Sequence, residues 1–595
     1  MRRNVLFCVL VVTLGLLNRG VASESISVAK TLLKVEDFGL FDHQGKFHRL
    51  RYYESDPETK AILLFVQGNG CPLVRKRIPQ LHKLQAIYEP KGIRFWMLNA
   101  NPQDSRIDIL EEVKEFDIQI PVLIDDSQLV AEELLVTRTA EALLIDTSNW
   151  MVCYRGAVDD RLSYESEKPA ADHHYLKDAM EALLAGQSIN MAKTDSPGCK
   201  IAFTEKRRLQ GELISYTDTI VPILQKKCVN CHSRSGIGPF AMSSHQKLAG
   251  WAEMIREVVM TRRMPPWQAD PYHGSFSNDL SLSAEEKQSL IRWIDQGTPK
   301  NAAGDLLEDL QVEAPTWPLG APDEIVDIPA QSVQAVGILD YRYLTLDSPF
   351  EEDVWISGVE LLPGNTKVLH HTIAWIIKPN ERDENRRKWL AGYAPGMTGQ
   401  SFPKATGILF RKNEKLLFEL HYTPYGKAVI DQSKLGLYLA KEPVKTALRT
   451  GVFIDERFKI PPQVREHQWS RSHKLGKDII LFGMNPHMHL RGKSMQFEAR
   501  YPDGKSEILL SVPYYNFNWQ RYYNLTKPKR LPQGTRLFLH AAWDNSSLNK
   551  ANPDPNRAVR WGEQSFDEMF FGTYQYVLAE QYSLEDSDTP LASVE

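Results

Sequence analysis

Cysteine is scarce in this chain, and none occurs beyond Cys231. Only six cysteines occur in 595 residues. So few thiols exclude a small disulfide-stabilised scaffold, because such domains are dense in cysteine. A metal site in the long segment after Cys231 would therefore have to be built without thiolate ligands.

An excess of charge of one sign and long apolar runs are also missing. The 71 basic and 75 acidic residues leave a formal net charge of -4, which gives no reason to expect nucleic acid or an anionic membrane surface as a partner. After the N-terminus, no segment approaches the roughly 18 apolar residues that a membrane-spanning helix needs. Hydrophobic residues make up 42% of the chain, as in globular proteins, and its length predicts several domains.

The N-terminus has the pattern of a secretory signal peptide. Arg2 and Arg3 precede the apolar run 5–17, and small residues follow at 21–23. The run is short for a bilayer span, so an uncleaved anchor is the less favoured alternative. We predict a signal peptide over residues 1–23 and an exported mature chain, periplasmic or secreted, with no transmembrane segment.

Residues 28–200 alternate between apolar strands and amphipathic helices, which predicts an α/β sheet. The apolar run 61–66 ends at a turn that contains Cys71, and a basic helix follows through about Tyr88. A cysteine between a strand end and a helix N-terminus is favoured as thiolate by the helix dipole. The segment resembles the redoxin and peroxiredoxin-like branch of the thioredoxin superfamily.

The residues around Cys71 leave its activity open. Val74 stands where a C-x-x-C motif would place the second cysteine, and residues 139–141 stand where thioredoxins place a cis-proline. Cys199 could pair with Cys71 across the domain. Cys71 is therefore either a redox thiol with Cys199 as its partner or a structural cysteine. Cys153, in a predicted strand, is interpreted as a small buried side chain.

Residues 212–300 carry a haem-attachment motif, Cys228-Val229-Asn230-Cys231-His232. Two thiols at this spacing can add to the vinyl groups of one haem, and the adjacent histidine then faces the iron. Zinc is the alternative, but no second ligand pair follows at a suitable spacing. The segment resembles a small, all-α class I cytochrome c domain. Its last helix is predicted to begin with a capping box from Ser283 to Glu286 and to stop at Gly297.

Four methionines lie where a second axial haem ligand is expected: Met242, Met254, Met260 and Met264. Met264 is favoured, because the two prolines that follow it would fix its loop. Met254 and Met260 lie in a helix-period stretch and are expected in the core.

After the proline-rich linker 314–322, the chain becomes a series of short alternating runs bounded by turn residues. This pattern predicts an all-β region of sandwiches or jelly rolls. The region is too long for one sandwich, so two tandem subdomains are predicted, at 320–445 and 450–580.

Six imidazole and thioether donors lie in this β region: His370, His371, His421, His487, His489 and Met569. Such a set suits copper, because the thioether holds Cu(I) while imidazole tolerates Cu(II). His487 and His489 would share one face of a strand. The adjacent His370 and His371 would point to opposite faces unless the backbone bends or the rings use different nitrogens.

The order and context of these donors carry a resemblance. The stretches Val368–Thr372, Leu420–Tyr422, His487–Lys493 and Asp567–Met569 follow one another as in the copper type II, ascorbate-dependent monooxygenases. That family includes the peptidylglycine α-hydroxylating and dopamine β-monooxygenases. The resemblance covers nearly the whole β region and implies two copper ions, one in each of two β-sandwich subdomains.

The resemblance also implies roles for the ligands. The electron-entry copper would be held by His370, His371 and His421. The copper that binds O2 and acts on a substrate C–H bond would be held by His487, His489 and Met569. Peptide-amidating members grip a substrate carboxylate with side chains at positions that are Asn485, Phe571 and Thr573 here. A peptide ending in glycine is therefore not the expected substrate.

Together these features predict an exported oxidoreductase that hydroxylates a C–H bond of an unknown small molecule with copper and O2. The covalent haem would pass on electrons from an external donor. Two alternatives stay open: a copper-binding or electron-transfer protein without hydroxylase activity, and a thiol–disulfide or peroxide-linked oxidoreductase centred on Cys71.

Overall fold

The structure is a computed structural model that describes residues 33–582 except 210, 235, 302–303, 310–316, 381–385, 396 and 398. The predicted signal peptide and residues 28–32 of the predicted thiol domain lie outside the described residues. Among the described residues, no helix has both the length and the apolar character needed to cross a membrane.

The N-terminal domain is built on a five-stranded mixed sheet in the order β5-β4-β3-β6-β7. Strands β4 and β5 run parallel to β3, whereas β6 and β7 complete the sheet in antiparallel fashion. Its elements are β1 (Gly39–Phe41), β2 (Phe47–Arg49), β3 (Ala61–Gln67), α1 (Pro72–Tyr88), β4 (Ile93–Asn99), α2 (Arg106–Glu115), β5 (Val122–Ile124), α3 (Leu129–Glu133), β6 (Ala142–Asp146), β7 (Met151–Gly156) and α4 (Tyr175–Leu184).

Strand β3 is buried on both faces of this sheet. Alternate residues Ile62 and Leu64 join one apolar core, and Leu63 and Phe65 join the other, which also contains α1. A strand covered on both faces is a continuous apolar run rather than an alternating one. The predicted thioredoxin-like α/β fold at this end of the chain is confirmed.

Short helices follow. They are α5 (Thr204–Arg208), a π-helical turn (Tyr216–Ile220), α6 (Val221–Lys227), α7 (His245–Gly250), α8 (Ala252–Met260), α9 (Ala284–Asp295) and α10 (Leu306–Asp309). The capping box of Ser283 and Glu286 opens α9, as predicted. Met260 is buried, but Met254 is 43% exposed, so its assignment to the core is wrong. Consecutive helical residues point about 100° apart, so Met254 lies off the face of α8 that carries the buried Ile255 and Val259.

These helices are not isolated from the α/β domain. Trp293 and Tyr216 lie in the same apolar core as one face of β3. A buried ion pair adds to this interface, in which Arg106 Nη1 lies 2.9 and 2.8 Å from the two carboxylate oxygens of Asp270.

The remainder of the described chain is all-β, as predicted, and begins with a first sandwich. Its two main sheets have the orders β10-β16-β12-β13 and β19-β15-β11-β18-β8. The strands are β8 (Glu324–Asp327), β9 (Gln331–Val333), β10 (Arg342–Leu346), β11 (Val354–Leu362), β12 (Leu369–Ile377), β13 (Lys388–Tyr393), β14 (Gln400–Ser401), β15 (Thr406–Phe410), β16 (Lys415–Tyr422), β17 (Val429–Asp431), β18 (Lys434–Leu439) and β19 (Thr446–Ala447).

A second sandwich follows, with sheets in the orders β20-β29-β23-β26 and β22-β27-β24-β25. Its strands are β20 (Arg449–Ile454), β21 (Lys459–Ile460), β22 (His467–Lys474), β23 (Ile479–His487), β24 (Gly492–Arg500), β25 (Ser506–Val512), β26 (Tyr523–Leu531), β27 (Arg536–Trp543), β28 (Val559–Arg560) and β29 (Phe571–Leu578).

Strand β23 joins the two sandwiches. Ile479 and Leu481 belong to the core of the second sandwich, whereas Ile480 and Phe482 belong to the core of the first. This packing brings the C-terminal end of β23 close to the ends of β12 and β16.

Candidate metal centre and thiol site

His370, His371 and His421 come together on the paired strands β12 and β16. The register between these strands shifts after Leu369, so that His371 lies opposite His421 and His370 is left out of the pairing. A bulge of this kind bends the strand and redirects a side chain. It supplies the bend that two adjacent ligands require, and one nitrogen from each of the three rings lies within 4.8 Å of the others.

Tyr341, which no sequence motif singled out, belongs to the same group. Its hydroxyl lies 2.6 Å from His371 Nε2, and its ring stacks on that of His421 at a centroid distance of 4.7 Å. His370 Nδ1 lies 3.0 Å from His371 Nδ1. Tyr341 is therefore placed to orient two of the three imidazoles.

In the second predicted ligand set, His487 and His489 do not lie on one strand. Strand β23 ends at His487, so His489 lies beyond the strand, and the prediction of two imidazoles on one strand face is wrong. The two rings are nevertheless neighbours, with centroids 5.3 Å apart.

The chain beyond β23 is held by Glu568 instead of by strand pairing. Its buried carboxylate accepts hydrogen bonds from the backbone N–H groups of His489 (2.9 Å) and Arg491 (2.6 Å) and from Trp543 Nε1 (2.9 Å). Met569, the predicted thioether ligand, is the next residue and is half-buried. The Glu568 carboxylate thus holds the backbone at His489, and Met569 follows directly in the chain.

The structure brings the two predicted sets side by side. The ring centroids of His371 and His487 are 6.1 Å apart. The Phe517 ring lies between the sets, 4.7 Å from His370 and 5.4 Å from His489. We call the five imidazoles the histidine cluster: His370, His371, His421, His487 and His489.

Burial keeps this cluster uncharged. Burial, reinforced by neighbouring imidazoles, lowers the pKa of His370 to about 3 and that of His421 to about 4. Burial also lowers the pKa of His487 to about 4 and those of His371 and His489 well below the usual value. Neutral imidazole is the form that binds metal, so no proton has to leave before a metal ion binds.

The hydrogen bonds of the cluster fit copper. Gln520 Oε1 lies 2.7 Å from His487 Nδ1, which leaves Nε2 of that ring as the ligand nitrogen. His421 Nδ1 is buried and has no hydrogen-bond partner among the described residues. A ring nitrogen of this kind, beside two other imidazoles, is suited to a borderline-soft metal ion.

The predicted haem-attachment motif begins directly after α6. His232 Nδ1 donates to the Phe240 carbonyl oxygen at 3.0 Å, so Nε2 carries the lone pair that iron would use. Burial lowers the pKa of His232, which keeps the ring neutral. Neither cysteine of the motif forms a disulfide with another described cysteine, and burial raises the pKa of Cys228 to about 12. These residues fit a covalent haem.

Met264, the predicted second axial ligand, is half-buried in the loop after α8. Two residues later, the Pro266 carbonyl accepts a hydrogen bond of 2.7 Å from Arg521 Nε. The Arg521 guanidinium also interacts with Cys231, where its charge partly offsets the rise that burial causes in the pKa of that thiol. The loop of Met264 and the attachment motif therefore meet at one side chain, although the role of Met264 stays a prediction.

The predicted thiol pair is assembled at the N-terminus of α1. Cys71 is the residue that caps this helix, and its Sγ lies 3.3 Å from Sγ of Cys199. Thr139 Oγ1 accepts the Cys199 N–H at 2.9 Å and lies 3.1 Å from Cys71 Sγ. Because the Thr139 oxygen accepts the Cys199 N–H, its own hydroxyl hydrogen is free to be donated to Cys71 Sγ.

The three cysteines of this domain differ in acidity. Burial raises the pKa of Cys71, but hydrogen bonds from Thr139, Val74 N–H and Cys199 outweigh it and hold the pKa below the usual value. Burial and the proximity of Cys71 raise the pKa of Cys199. Burial raises the pKa of Cys153 to about 12. Cys71 is thus the more acidic thiol of the pair, and Cys199 is the less acidic one.

Comparison with known proteins agrees with this description of the N-terminal domain. Residues 33–159 match the AhpC/TSA family. The thiol-disulfide oxidoreductase ResA of Bacillus cereus is 27% identical over 116 residues, which are 20% of this chain and 64% of that protein. The chain thus spans somewhat less than two thirds of that relative.

Two matching solved structures each cover less than a third of this chain. A conserved protein of Geobacillus kaustophilus is 26% identical, with 29% of this chain and 92% of that chain covered and a TM-score of 0.26. Peroxidoxin BcpB of Mycobacterium tuberculosis is 21% identical, with 26% and 96% covered and a TM-score of 0.21. From the family match and its own sheet, the N-terminal part of this chain is an AhpC/TSA-type, thioredoxin-like domain.

Proposed function

We propose that the chain is a copper-dependent oxidoreductase that hydroxylates a C–H bond of a small substrate with O2 at the histidine cluster. The observation that carries this proposal is the convergence of five imidazoles from two sandwiches, three of them buried and two half-buried, with burial lowering the pKa of each. A copper ion with an open coordination position would supply one-electron chemistry and O2 binding. The covalent haem would pass on electrons from an external donor.

The residues of the chain would bind and orient the metal. His370, His371 and His421 are close enough to hold one ion. His487, His489 and Met569 would hold a second. Both groups would be oriented by hydrogen bonds, from Tyr341 to His371 and from His487 to Gln520. Such outer partners fix which nitrogen faces the metal.

Aromatic rings would limit water at the site. Phe571 meets the His487 ring edge to face at 5.8 Å, and Trp389 lies 6.5 Å from Phe571. Where peptide-amidating enzymes bind a carboxylate, Asn485 here donates to the Arg521 carbonyl at 2.7 Å and Thr573 is buried. These contacts favour a substrate without a terminal carboxylate.

Metal analysis and visible spectra of the exported holoprotein test the proposal. We expect one covalent haem and two copper ions per chain, together with substrate-dependent O2 consumption that Met569→Ala abolishes. Copper binding without O2 consumption would leave a copper-binding or electron-transfer protein. Zinc, or a single metal ion, would contradict the catalytic assignment.

A second function is favoured by the thiol pair and by the family match. The sulfur atoms of Cys71 and Cys199 lie 3.3 Å apart. Cys71 would attack a disulfide or a peroxide, and Cys199 would then close a disulfide. Two electrons pass to the acceptor, and the two thiol protons are released or leave with it. Of the two proposals, this one has the support of the known relatives.

Turnover in two variants separates the functions. Copper-dependent hydroxylation predicts loss of activity in Met569→Ala and tolerance of Cys71→Ser, whereas thiol chemistry predicts the reverse. Cys153→Ser is the matched control for the thiol variant, because Cys153 lies in the same domain but away from the pair.

A further inference from the structure

The loop between β25 and β26, residues 513–522, connects the haem-attachment motif with the histidine cluster. Near the C-terminal end of the loop, Arg521 is buried, donates a hydrogen bond to the Pro266 carbonyl and acts electrostatically on Cys231. In the same loop, the Tyr514 hydroxyl donates to the Trp267 carbonyl at 2.6 Å. The loop is therefore fixed against the residues that follow Met264 and lies beside the haem-attachment motif.

Residues of the same loop that precede Arg521 contact the cluster. Gln520 Oε1 accepts from His487 Nδ1 at 2.7 Å, and Gln520 Nε2 donates to the Phe517 carbonyl at 3.1 Å. The Phe517 ring touches both His370 and His489. Gln520 and Arg521 are adjacent in the chain, so a continuous path of covalent and hydrogen bonds runs from the Pro266 carbonyl, two residues after Met264, to the ring of His487.

We propose that Arg521 and Gln520 form an electron bridge, through which the haem delivers electrons to the copper of His487. The inference rests on the proposed haem and copper sites and adds the route between them. It differs from the role that the monooxygenase resemblance implies, in which electrons enter at the copper of His370, His371 and His421. In the transfer, Fe(II) loses one electron to become Fe(III) and Cu(II) gains it to become Cu(I). No bond and no proton has to move.

The two side chains would have separate effects. A buried guanidinium beside the haem favours the reduced iron, because ferrous haem carries one positive charge less than ferric haem. Gln520 is a positioning residue that holds His487 in the tautomer whose Nε2 faces the metal. Arg521 should therefore change the haem potential, and Gln520 should change only the transfer to copper.

A redox titration of the purified holoprotein tests Arg521. In Arg521→Leu we expect the ratio of ferrous to ferric haem at a fixed potential to fall about tenfold. Arg521→Lys should restore most of it, because it keeps the charge. Arg530→Leu, which removes an exposed arginine paired with Asp478, is the matched control and should have no effect. An unchanged ratio in Arg521→Leu would overturn the role of this residue.

Anaerobic mixing tests Gln520. Protein with ferrous haem and Cu(II) is followed by the haem absorbance and by the Cu(II) signal in electron paramagnetic resonance, which should change together in equal amounts. Gln520→Leu, loaded to the same copper content, should slow both changes about tenfold. Gln520→Glu keeps an acceptor and should recover the rate. Gln468→Leu, at an exposed position, is the matched control.

A competing route would pass through Tyr393. Its pKa is raised by burial and also by Cys231, and Tyr393 pairs in the sheet with Thr372, the residue after His371. A rate that Tyr393→Phe slows and Gln520→Leu leaves unchanged would overturn the bridge. A holoprotein that binds no haem or no copper would overturn the proposed function itself, together with the bridge. The metal content, measured first, distinguishes these two failures.

Discussion

The thiol pair and the histidine cluster are both redox-competent groups, but they are assembled in different ways. Cys71 and Cys199 belong to one domain, and the acidity of Cys71 is set by hydrogen bonds within it. The histidine cluster draws on β12, β16 and the end of β23, which belong to two sandwiches. The thiol site therefore depends on local geometry, whereas the cluster depends on how two sandwiches pack.

The two sites also respond to burial in opposite ways. Burial disfavours thiolate, so Cys71 needs donors such as Thr139 to become acidic. Burial disfavours imidazolium, so it keeps these histidines in the neutral form that binds metal. A buried thiol has to be activated by its neighbours, whereas a buried histidine is kept neutral by burial itself.

The difference in acidity within the α/β domain gives the largest expected effect. The acid dissociation constants of Cys71 and Cys153 should differ more than about a thousandfold. As the pH falls below 9, the usual pKa of a thiol, Cys71 stays ionised and is protonated only when the pH passes its lowered pKa. Cys153 ionises only as the pH approaches its raised pKa of about 12. Thiolate absorbance, as the difference between wild type and Cys71→Ser, measures it. Equal profiles in Cys71→Ser and Cys153→Ser would contradict the assignment.

Removal of one cluster imidazole should be the next largest effect. His421→Ala deletes one of three converging nitrogens, and we expect copper affinity to fall more than about 100-fold, since even outer-shell partners contribute 10–100-fold. Competition with a copper chelator measures the affinity. His540→Ala is the control, because that histidine is paired with Glu498 outside the cluster. Wild-type affinity in His421→Ala would show that His421 is not a ligand.

The hydrogen bonds of the Glu568 carboxylate should contribute to the free energy of unfolding. Glu568→Leu leaves three buried N–H donors without their acceptor, and we expect a loss of about 2 kcal/mol, which is roughly thirtyfold in the folding equilibrium. Denaturant unfolding of the metal-free protein measures it. Glu563→Leu is the control, since Glu563 is exposed and accepts only from Tyr343 among the described residues. An unchanged unfolding midpoint in Glu568→Leu would contradict this role.

Tyr341 should give the smallest effect. Tyr341→Phe keeps the ring that stacks on His421 and removes only the hydroxyl beside His371. We expect copper affinity to fall by less than about tenfold, with a change in the copper spectrum that reports the altered orientation of His371. Tyr343→Phe, on the exposed side of β10, is the matched control. A loss as large as that in His421→Ala would indicate that the hydroxyl itself binds the metal.

Much of the fold could be predicted from the sequence. The apolar run of β3 and the position of Cys71 indicated the α/β domain, and the capping box of Ser283 located α9. Each of these signals is local. Met254 was misassigned because helical periodicity does not tell which face of a short helix meets the core.

The candidate site was predictable only in part. The histidines stood in motifs, and a bend at His370 was one of the two arrangements that strand geometry left open. Tyr341, Phe517 and Gln520 carry no motif, and they reach the cluster through tertiary packing. The proximity of His371 to His487 depends on Ile480 and Phe482, whose burial in the neighbouring sandwich cannot be read from alternation along β23.

The double burial of β23 has a consequence for dissecting this protein. A fragment that begins at β20 would expose Ile480 and Phe482, together with Val577 of β29, as an apolar strip on a sheet surface. Strips of this kind promote aggregation. Neither sandwich is therefore an interchangeable module, and shuffling or separate expression of the halves should fail unless the strip is first made polar.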